Sequence, residues 1–189
     1  MRIIAGKLRG STIYITKNKR TRPLKDMVRE SIFNLLIHSK KILFQFENSH
    51  VLDLYAGTGS FGLECLSRNV ESVYFVEELK EAINILKKNI EKLKTRNKAI
   101  ILTGDVIALL EKKETFVTQF NLIFCDPPFK DAKIKKLIEL IYSRNLLKKN
   151  GIIILHRNKF TEEKFPKYLK ILEERNYGIS KIIFARILV

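Results

Sequence analysis

The sequence contains few cysteines, no tryptophan and no long apolar run. Its two cysteines, Cys65 and Cys125, lie far apart and form no CxxC pair, which excludes a cysteine zinc site and a disulfide framework. We expect free, buried thiols in a reducing compartment, and therefore a cytoplasmic protein. No apolar run approaches the roughly 18 residues that a membrane-spanning helix needs, so we expect neither a membrane segment nor an N-terminal secretory signal.

Acidic residues are also in short supply. The 189 residues include 20 Asp and Glu against 36 Lys and Arg, a net charge of +16. So large an excess of basic residues favours a polyanionic partner, RNA or DNA, over an acidic small molecule, with an anionic membrane surface as the weaker alternative. Hydrophobic residues make up 46% of the chain, which is enough for one domain with a sizeable core.

The first 40 residues differ in pattern from the rest. Short β-type runs at 2–5 and 11–16 predict a hairpin, and Pro23 followed by apolar residues at helical spacing predicts a helix. We therefore predict an N-terminal extension at residues 1–40 and a second domain at 41–189. The basic residues of the extension, together with Tyr14, predict contact with RNA; the candidates are Lys7, Arg9, Lys17, Lys19 and Arg20.

Beyond residue 50, strand-like apolar runs alternate with helical patterns. This alternation predicts βαβ units on a parallel sheet that is buried on both faces. The chain ends in two further runs that flank Asn176-Tyr177-Gly178, which predict an antiparallel hairpin. The fold class is therefore α/β, a doubly wound Rossmann-like sheet with an antiparallel C-terminal edge. The predicted strands cover 51–55, 73–76, 100–103, 122–125 and 152–155, and the hairpin covers 170–174 and 179–188.

A glycine-rich turn follows the first predicted strand. Gly57 and Gly59 allow the backbone to approach a ligand that a Cβ would repel, and with Gly62 they satisfy GxGxxG, a motif that does not separate dinucleotides from S-adenosylmethionine. Glu77 ends the second strand, where a carboxylate can accept hydrogen bonds from ribose hydroxyls. Asp105 follows the third strand and could accept from an adenine amine, although an Asp after Gly is equally an ordinary turn or helix cap.

The fourth predicted strand stops in Asp126-Pro127-Pro128-Phe129. An aromatic amine is a poor nucleophile because its lone pair is delocalised, and acceptors for both of its N–H groups can draw the nitrogen towards tetrahedral geometry. The Asp126 carboxylate and the Pro127 carbonyl could be those acceptors, while Phe129 could stack on an extruded base. This box suits methyl transfer better than hydride transfer, so S-adenosylmethionine is the expected cofactor.

The three histidines, His38, His50 and His156, are unclustered in the sequence. We expect none of them to be a metal ligand or a general base, and we expect no metal site. Cys125 adjoins the catalytic box but lies in an apolar strand, which favours buried packing over a nucleophilic role.

With these motifs in view, the sequence closely resembles the bacterial small-subunit rRNA guanine-N2 methyltransferases of the RsmD type. The resemblance covers nearly the whole chain. The most specific segments are the opening at residues 2–10 and the RPxxDxVRExxFN pattern at residues 22–34, while the glycine turn and DPPF are shared more widely.

The resemblance implies roles for individual residues. It implies that Asp126, Pro127 and Phe129 handle the guanine. The family tends to have Thr where Leu24 stands, and after strand five it often has an acidic residue where this chain reads Leu155-His156-Arg157, so neither role is carried over. The implied cofactor-binding residues are Arg22, Pro23, Asp53, Gly57, Gly59, Glu77, Asp105 and Val106.

The resemblance also implies an activity, transfer of a methyl group from S-adenosylmethionine to the exocyclic N2 of a guanine in 16S rRNA. It favours an assembling small ribosomal subunit as the substrate, and we expect a monomer. Two alternatives stay open. An N6-adenine DNA methyltransferase uses a similar box, although this chain is short and shows no obvious target-recognition domain. A non-catalytic RNA-binding module is disfavoured by the intact motifs.

Overall fold

A computed structural model describes residues 1–16, 24–128 and 133–188. It confirms the predicted doubly wound sheet, whose seven strands have the order β3-β2-β1-β4-β5-β7-β6. The strands are β1 His50–Leu54, β2 Ser72–Glu77, β3 Ala99–Thr103, β4 Phe120–Cys125, β5 Leu147–Asn158, β6 Leu169–Tyr177 and β7 Ser180–Ile187. The helices are α1 Asp26–His38, α2 Ser60–Ser67, α3 Lys80–Lys92, α4 Val106–Glu111 and α5 Ile134–Ser143.

Strands β1 to β5 pair in parallel. The central strands β1 and β4 are mostly apolar and almost wholly buried, because both faces of the sheet are covered there. In β4, Leu122 and Phe124 belong to one apolar cluster, whereas Ile123 and Cys125 belong to the other. This alternation follows from the period of two in a strand. Parallel pairing also brings the carboxyl ends of β1 to β5 to one edge of the sheet, where the predicted site residues lie.

The C-terminal hairpin is confirmed. β7 runs antiparallel between β5 and β6, so β6 forms the sheet edge. Gly178, in the turn between β6 and β7, has a φ of 59°, a conformation that favours glycine. The hairpin therefore attaches directly to β5, a strand that reaches the site.

The two predicted runs of the N-terminal arm pair in antiparallel fashion around one bridge between Arg2 and Thr12. Backbone N–H groups of Ile3 and Ile13 donate to the carbonyls of Ser11 (2.9 Å) and Met1 (3.0 Å), so the hairpin is present but short. Packing adds to its order, because Ile3 and Ile13 are buried in the same apolar cluster as the sheet. The division into residues 1–40 and 41–189 stays a prediction, but the described parts of both share this core.

Glu64 of α2 holds the arm in place. Its buried carboxylate accepts hydrogen bonds from the backbone N–H groups of Ile4 (2.7 Å) and Ala5 (3.0 Å) and pairs with Arg68 at 2.9 Å. At Gly6, an added Cβ would overlap the backbone of Ser67. The arm is thus fitted to α2 by specific polar contacts as well as by apolar burial.

Both cysteines are free and buried, as expected. Burial is the main cause that raises the pKa of each thiol above its ordinary value. Among the described residues, no helix combines the length and the apolar character needed to cross a bilayer.

Candidate active site

A cavity of about 370 Å³ opens at the carboxyl ends of the parallel strands. It lies where the strand order reverses, between β1 and β4, which is the position where open α/β sheets bind ligands. Its volume falls in the range of small-molecule sites. Its walls come from the turns after β1, β2, β3 and β4 and from β5, and they include Asp53, Gly57, Glu77, Asp105, Val106, Asp126, Pro127 and His156.

The turn after β1 has a strained backbone. Tyr55 and Gly57 have φ angles of 63° and 57°, in the left-handed region that is costly for residues with a side chain. A Cβ added to Gly57 would meet no atom within 4 Å, and the residue lines the cavity. The bare backbone of this turn therefore offers space for a ligand to approach closely.

The other two glycines of the motif serve packing. A Cβ at Gly59, which precedes α2, would clash with the side chain of Leu86, and one at Gly62 would clash with Phe75. Gly62 thus allows α2 to pack closely against the sheet. The cofactor role implied for Gly59 stays a prediction, and Gly59 is not part of the cavity wall.

Asp53 is the most unusual side chain of the site. It is 1% exposed, and its Oδ2 accepts a hydrogen bond from the backbone N–H of Gly62 at 2.9 Å, but its Oδ1 has no partner among the described residues. Burial raises the pKa of Asp53 to about 8, with smaller contributions from the negative charges of Asp126 and Glu77. The hydrogen bond from Gly62 acts in the opposite direction, because it stabilises the ionised carboxylate. A buried acceptor without a partner is costly, so this position suits a cationic ligand group.

Glu77 is held in place by the backbone. Its Oε2 accepts from the N–H of Gly57 at 2.7 Å, and its Oε1 accepts from those of Glu78 and Leu79, both at 2.9 Å. Because a carboxylate offers about four acceptor positions, Oε2 retains capacity for a ribose hydroxyl. The same contact ties the glycine turn after β1 to the end of β2.

Asp105 is the N-cap of α4, since its Oδ1 accepts from the backbone N–H of Ala108 at 2.8 Å. This is the ordinary capping role that the sequence left open. Asp105 and Val106 both line the cavity, so capping by Oδ1 leaves the other carboxylate oxygen for an adenine amine.

Asp126 and Pro127 lie where expected, at the carboxyl end of β4 on the cavity wall. His156, which is isolated from the other site residues in the sequence, lies beside Asp126 in the structure. Its Nδ1 lies 2.7 Å from Asp126 Oδ1, and its Nε2 lies 2.8 Å from Ser180 Oγ. Local sequence spacing gave no signal for this pair, because β4 and β5 meet only through the parallel register that sets Cys125 beside Leu155.

Several predicted site residues lie outside the described residues: Arg22, Pro23 and Phe129 at the pocket, and Lys17, Lys19 and Arg20 for RNA. The described residues that flank them, Thr16, Leu24 and Pro128, all line the cavity. Leu24 is buried, so at this position the wall is apolar.

Lys7 and Arg9 are exposed, as an RNA contact requires, and the Lys7 ammonium lies 3.0 Å from Asn69 Oδ1. Lys92 of α3 also lies beside the arm, with its ammonium 4.6 Å from the centre of the Tyr14 ring. Nothing in the sequence indicated that α3 packs against the arm. Within the described ranges, no group of three or more His, Cys, Asp and Glu side chains could hold a metal ion.

The sheet topology and the comparisons with known proteins together define a Rossmann-like methyltransferase. The chain belongs to the family described as "Conserved hypothetical protein 95", whose profile matches residues 1–186, which confirms the resemblance to the RsmD type. The ribosomal RNA small subunit methyltransferase D of Haemophilus influenzae is 33% identical over 180 residues, 95% of this chain and 90% of that protein. The corresponding Escherichia coli protein is 31% identical over 153 residues, 81% and 72% of the two chains.

A solved structure shows the same architecture. The candidate methyltransferase yhhF of Escherichia coli superposes with a TM-score of 0.85 and 26% identity, covering 100% of this chain and 98% of that one. The match therefore includes the N-terminal arm as well as the sheet.

Proposed function

We propose that this chain transfers a methyl group from S-adenosylmethionine to the exocyclic N2 of a guanine in 16S rRNA. The observation that carries the proposal is one cavity that brings together two carboxylates from neighbouring strands. Asp53 is buried, and one of its oxygens has no partner within the described part of the chain, while Asp126 lies at the end of β4. The relatives named as small subunit rRNA methyltransferases supply the substrate class.

The described residues fit the cofactor. Asp53 Oδ1 would pair with the ammonium of the methionine portion, and the turn at Gly57 leaves room for it. Glu77 would accept from a ribose hydroxyl, and Asp105 with Val106 would flank the adenine. The cofactor, when bound, supplies an electrophilic methyl group on a positively charged sulfur.

The remaining chemistry belongs to the protein. Asp126 Oδ2 and the Pro127 carbonyl accept from the two N–H groups of the guanine amine and orient its lone pair towards the methyl carbon. Once it carries the methyl group that the cofactor would supply, the guanine nitrogen would have one proton in excess, which would be released to water. The Asp126 carboxylate stabilises the positive charge that develops on nitrogen, so its contribution is largest in the transition state.

We further propose that the substrate is an assembling small ribosomal subunit, and that the chain acts on it as a monomer in the cytoplasm. The charge of +16 favours a partner dense in phosphates. The exposed Lys7 and Arg9, on the same arm as the cavity-lining Thr16, place basic side chains on the segment that leads to the pocket.

The test is to incubate the protein with labelled S-adenosylmethionine and three substrates: unmodified small subunits, naked 16S rRNA and duplex DNA. Mass spectrometry of the nucleosides should show N2-methylguanosine, formed fastest with subunits. N6-methyladenine in the DNA would instead support an adenine DNA methyltransferase. Cofactor binding by calorimetry without transfer to any substrate would support a non-catalytic RNA-binding module.

A further inference from the structure

The side chain of His156 joins the proposed catalytic carboxylate to the C-terminal hairpin. It extends from β5, contacts Asp126 at the end of β4 through Nδ1, and contacts Ser180 at the start of β7 through Nε2. His156 is 9% exposed and lines the cavity. Three strands therefore converge on one hydrogen-bonded chain of side chains.

We propose that His156 is a positioning residue for methyl transfer, which fixes the orientation of the Asp126 carboxylate while Ser180 fixes the imidazole. The proposal rests on the proposed function of Asp126. The geometry carries it, because each end of the imidazole lies within hydrogen-bonding distance of a defined partner. A ring held at both nitrogens cannot rotate without losing a contact.

The direction of the hydrogen bonds follows from the chemistry of the groups. An ionised carboxylate only accepts, so the proton of the imidazole lies on Nδ1 and is donated to Asp126 Oδ1. In the neutral ring, Nε2 then accepts from the Ser180 hydroxyl. With Oδ1 engaged in this way, Oδ2 is the oxygen that accepts from the guanine amine.

Replacing His156 by Asn or by Gln distinguishes this positioning role from simple packing. The amide nitrogen of Asn can take the place of His Nδ1, so His156→Asn retains a donor for Asp126, whereas the longer Gln places its amide nearer to the position of Nε2. His50 provides a matched control at the amino ends of the strands, where its Nδ1 lies 2.8 Å from Ser72 Oγ. His50 is at the amino end of β1, away from the cavity.

The experiment measures single-turnover methyl transfer to unmodified small subunits, with cofactor affinity by calorimetry and the melting temperature of each variant. We expect His156→Gln to lower the rate by about 10- to 100-fold with cofactor affinity nearly unchanged. His156→Asn should restore most of the rate, Ser180→Ala should lower it less than His156→Gln, and His50→Asn should leave it unchanged. Equal rates for His156→Gln and wild type, or equal losses in the Asn and Gln variants, would overturn the proposal.

A second measurement does not depend on turnover. Ring nitrogen NMR shifts, assigned to His156 by the loss of its signals in His156→Asn, should show the proton on Nδ1 in wild type and a change in that preference in Asp126→Ala. A proton on Nε2 in wild type would overturn the proposal. If wild type fails to methylate any RNA while the Nδ1 proton is present, the proposed function fails and the hydrogen-bonded chain stands.

Discussion

Asp126 divides its two oxygens between the protein and the proposed substrate. Because Oδ1 contacts His156, we assign the amine to Oδ2. We expect Asp126→Ala to reduce the single-turnover rate by on the order of 100-fold or more, with little change in cofactor affinity, because orientation of the amine is lost. A wild-type rate for this variant would remove Asp126 from the mechanism.

Asp126→Asn is a sharper variant of the same test. In this variant the amide oxygen accepts from His156, so the amide NH₂ group points towards the guanine amine. Both groups are hydrogen-bond donors and cannot pair. We therefore expect the Asn variant to be no faster than the Ala variant in the same assay. A rate close to wild type would show that the negative charge and the second acceptor are both dispensable.

Asp53 makes the ligand-free protein less stable than it could be. Its raised pKa of about 8 means that the folded state binds more protons than the unfolded state between pH 4 and 8, so this group lowers the free energy of unfolding as pH rises through that range. We expect Asp53→Asn to raise the melting temperature, with a gap to wild type that widens from about pH 5 to pH 8. Thermal melts without cofactor, at several pH values, measure this.

The same substitution should weaken cofactor binding. Pairing with a cation requires ionised Asp53, so wild type should release close to one proton per cofactor bound at pH 7, and Asp53→Asn should release markedly less. Calorimetry in buffers of different ionisation enthalpy measures the proton count. Binding without proton release in wild type would contradict the assignment of Asp53 to the cofactor ammonium.

At the scale of elements, the turn between β1 and α2 can be tested against a second turn of similar backbone. Gly57 and Gly178 have φ angles of 57° and 59°, and a Cβ at either would meet open space. Valine at either position should cost about 1–2 kcal/mol of stability from backbone strain. We expect only Gly57→Val to abolish cofactor binding, as measured by calorimetry, because Gly178 lies in the hairpin turn. Equal cofactor affinities for the two variants would contradict a role of the glycine turn in cofactor binding.

The strands and their parallel arrangement could be predicted because apolar runs between helical patterns leave few alternatives to a parallel sheet. Asp53 was indicated by the family resemblance, whereas Glu77 and Asp126 could be placed at one edge because Glu77 ends such a run and Asp126 directly follows one. The contact of His156 with Asp126 could not, because it depends on the register between strands distant in sequence. The docking of the N-terminal hairpin could not be predicted for a related reason, since its contacts with Glu64 and the core are remote along the chain.

At the scale of the whole molecule, the net positive charge predicts an RNA affinity that falls as the salt concentration rises. Replacing Lys7 and Arg9 by Ala should lower the slope of log affinity against log salt by between about one and two units, because each lost phosphate contact removes roughly one. The control replaces Lys148 and Lys149, at the amino end of β5, and should change the slope less. Filter binding to 16S rRNA over a range of salt concentrations measures both, and equal slopes for the two pairs would limit Lys7 and Arg9 to solubility.

Asp53 Oδ1, which has no partner among the described residues, also affects the rate at which proteases cleave the protein. A chain that buries an unpaired carboxyl opens more often than one whose carboxyl is paired, and cleavage follows the population of the open form when reclosing is fast. Bound cofactor raises the free energy of unfolding by RT ln(1 + [L]/Kd), where [L] is the cofactor concentration. We expect resistance to limited proteolysis to increase with S-adenosylmethionine concentration in wild type and much less so in Asp53→Asn. The supply of the methyl donor would then set the lifetime of the protein as well as its activity.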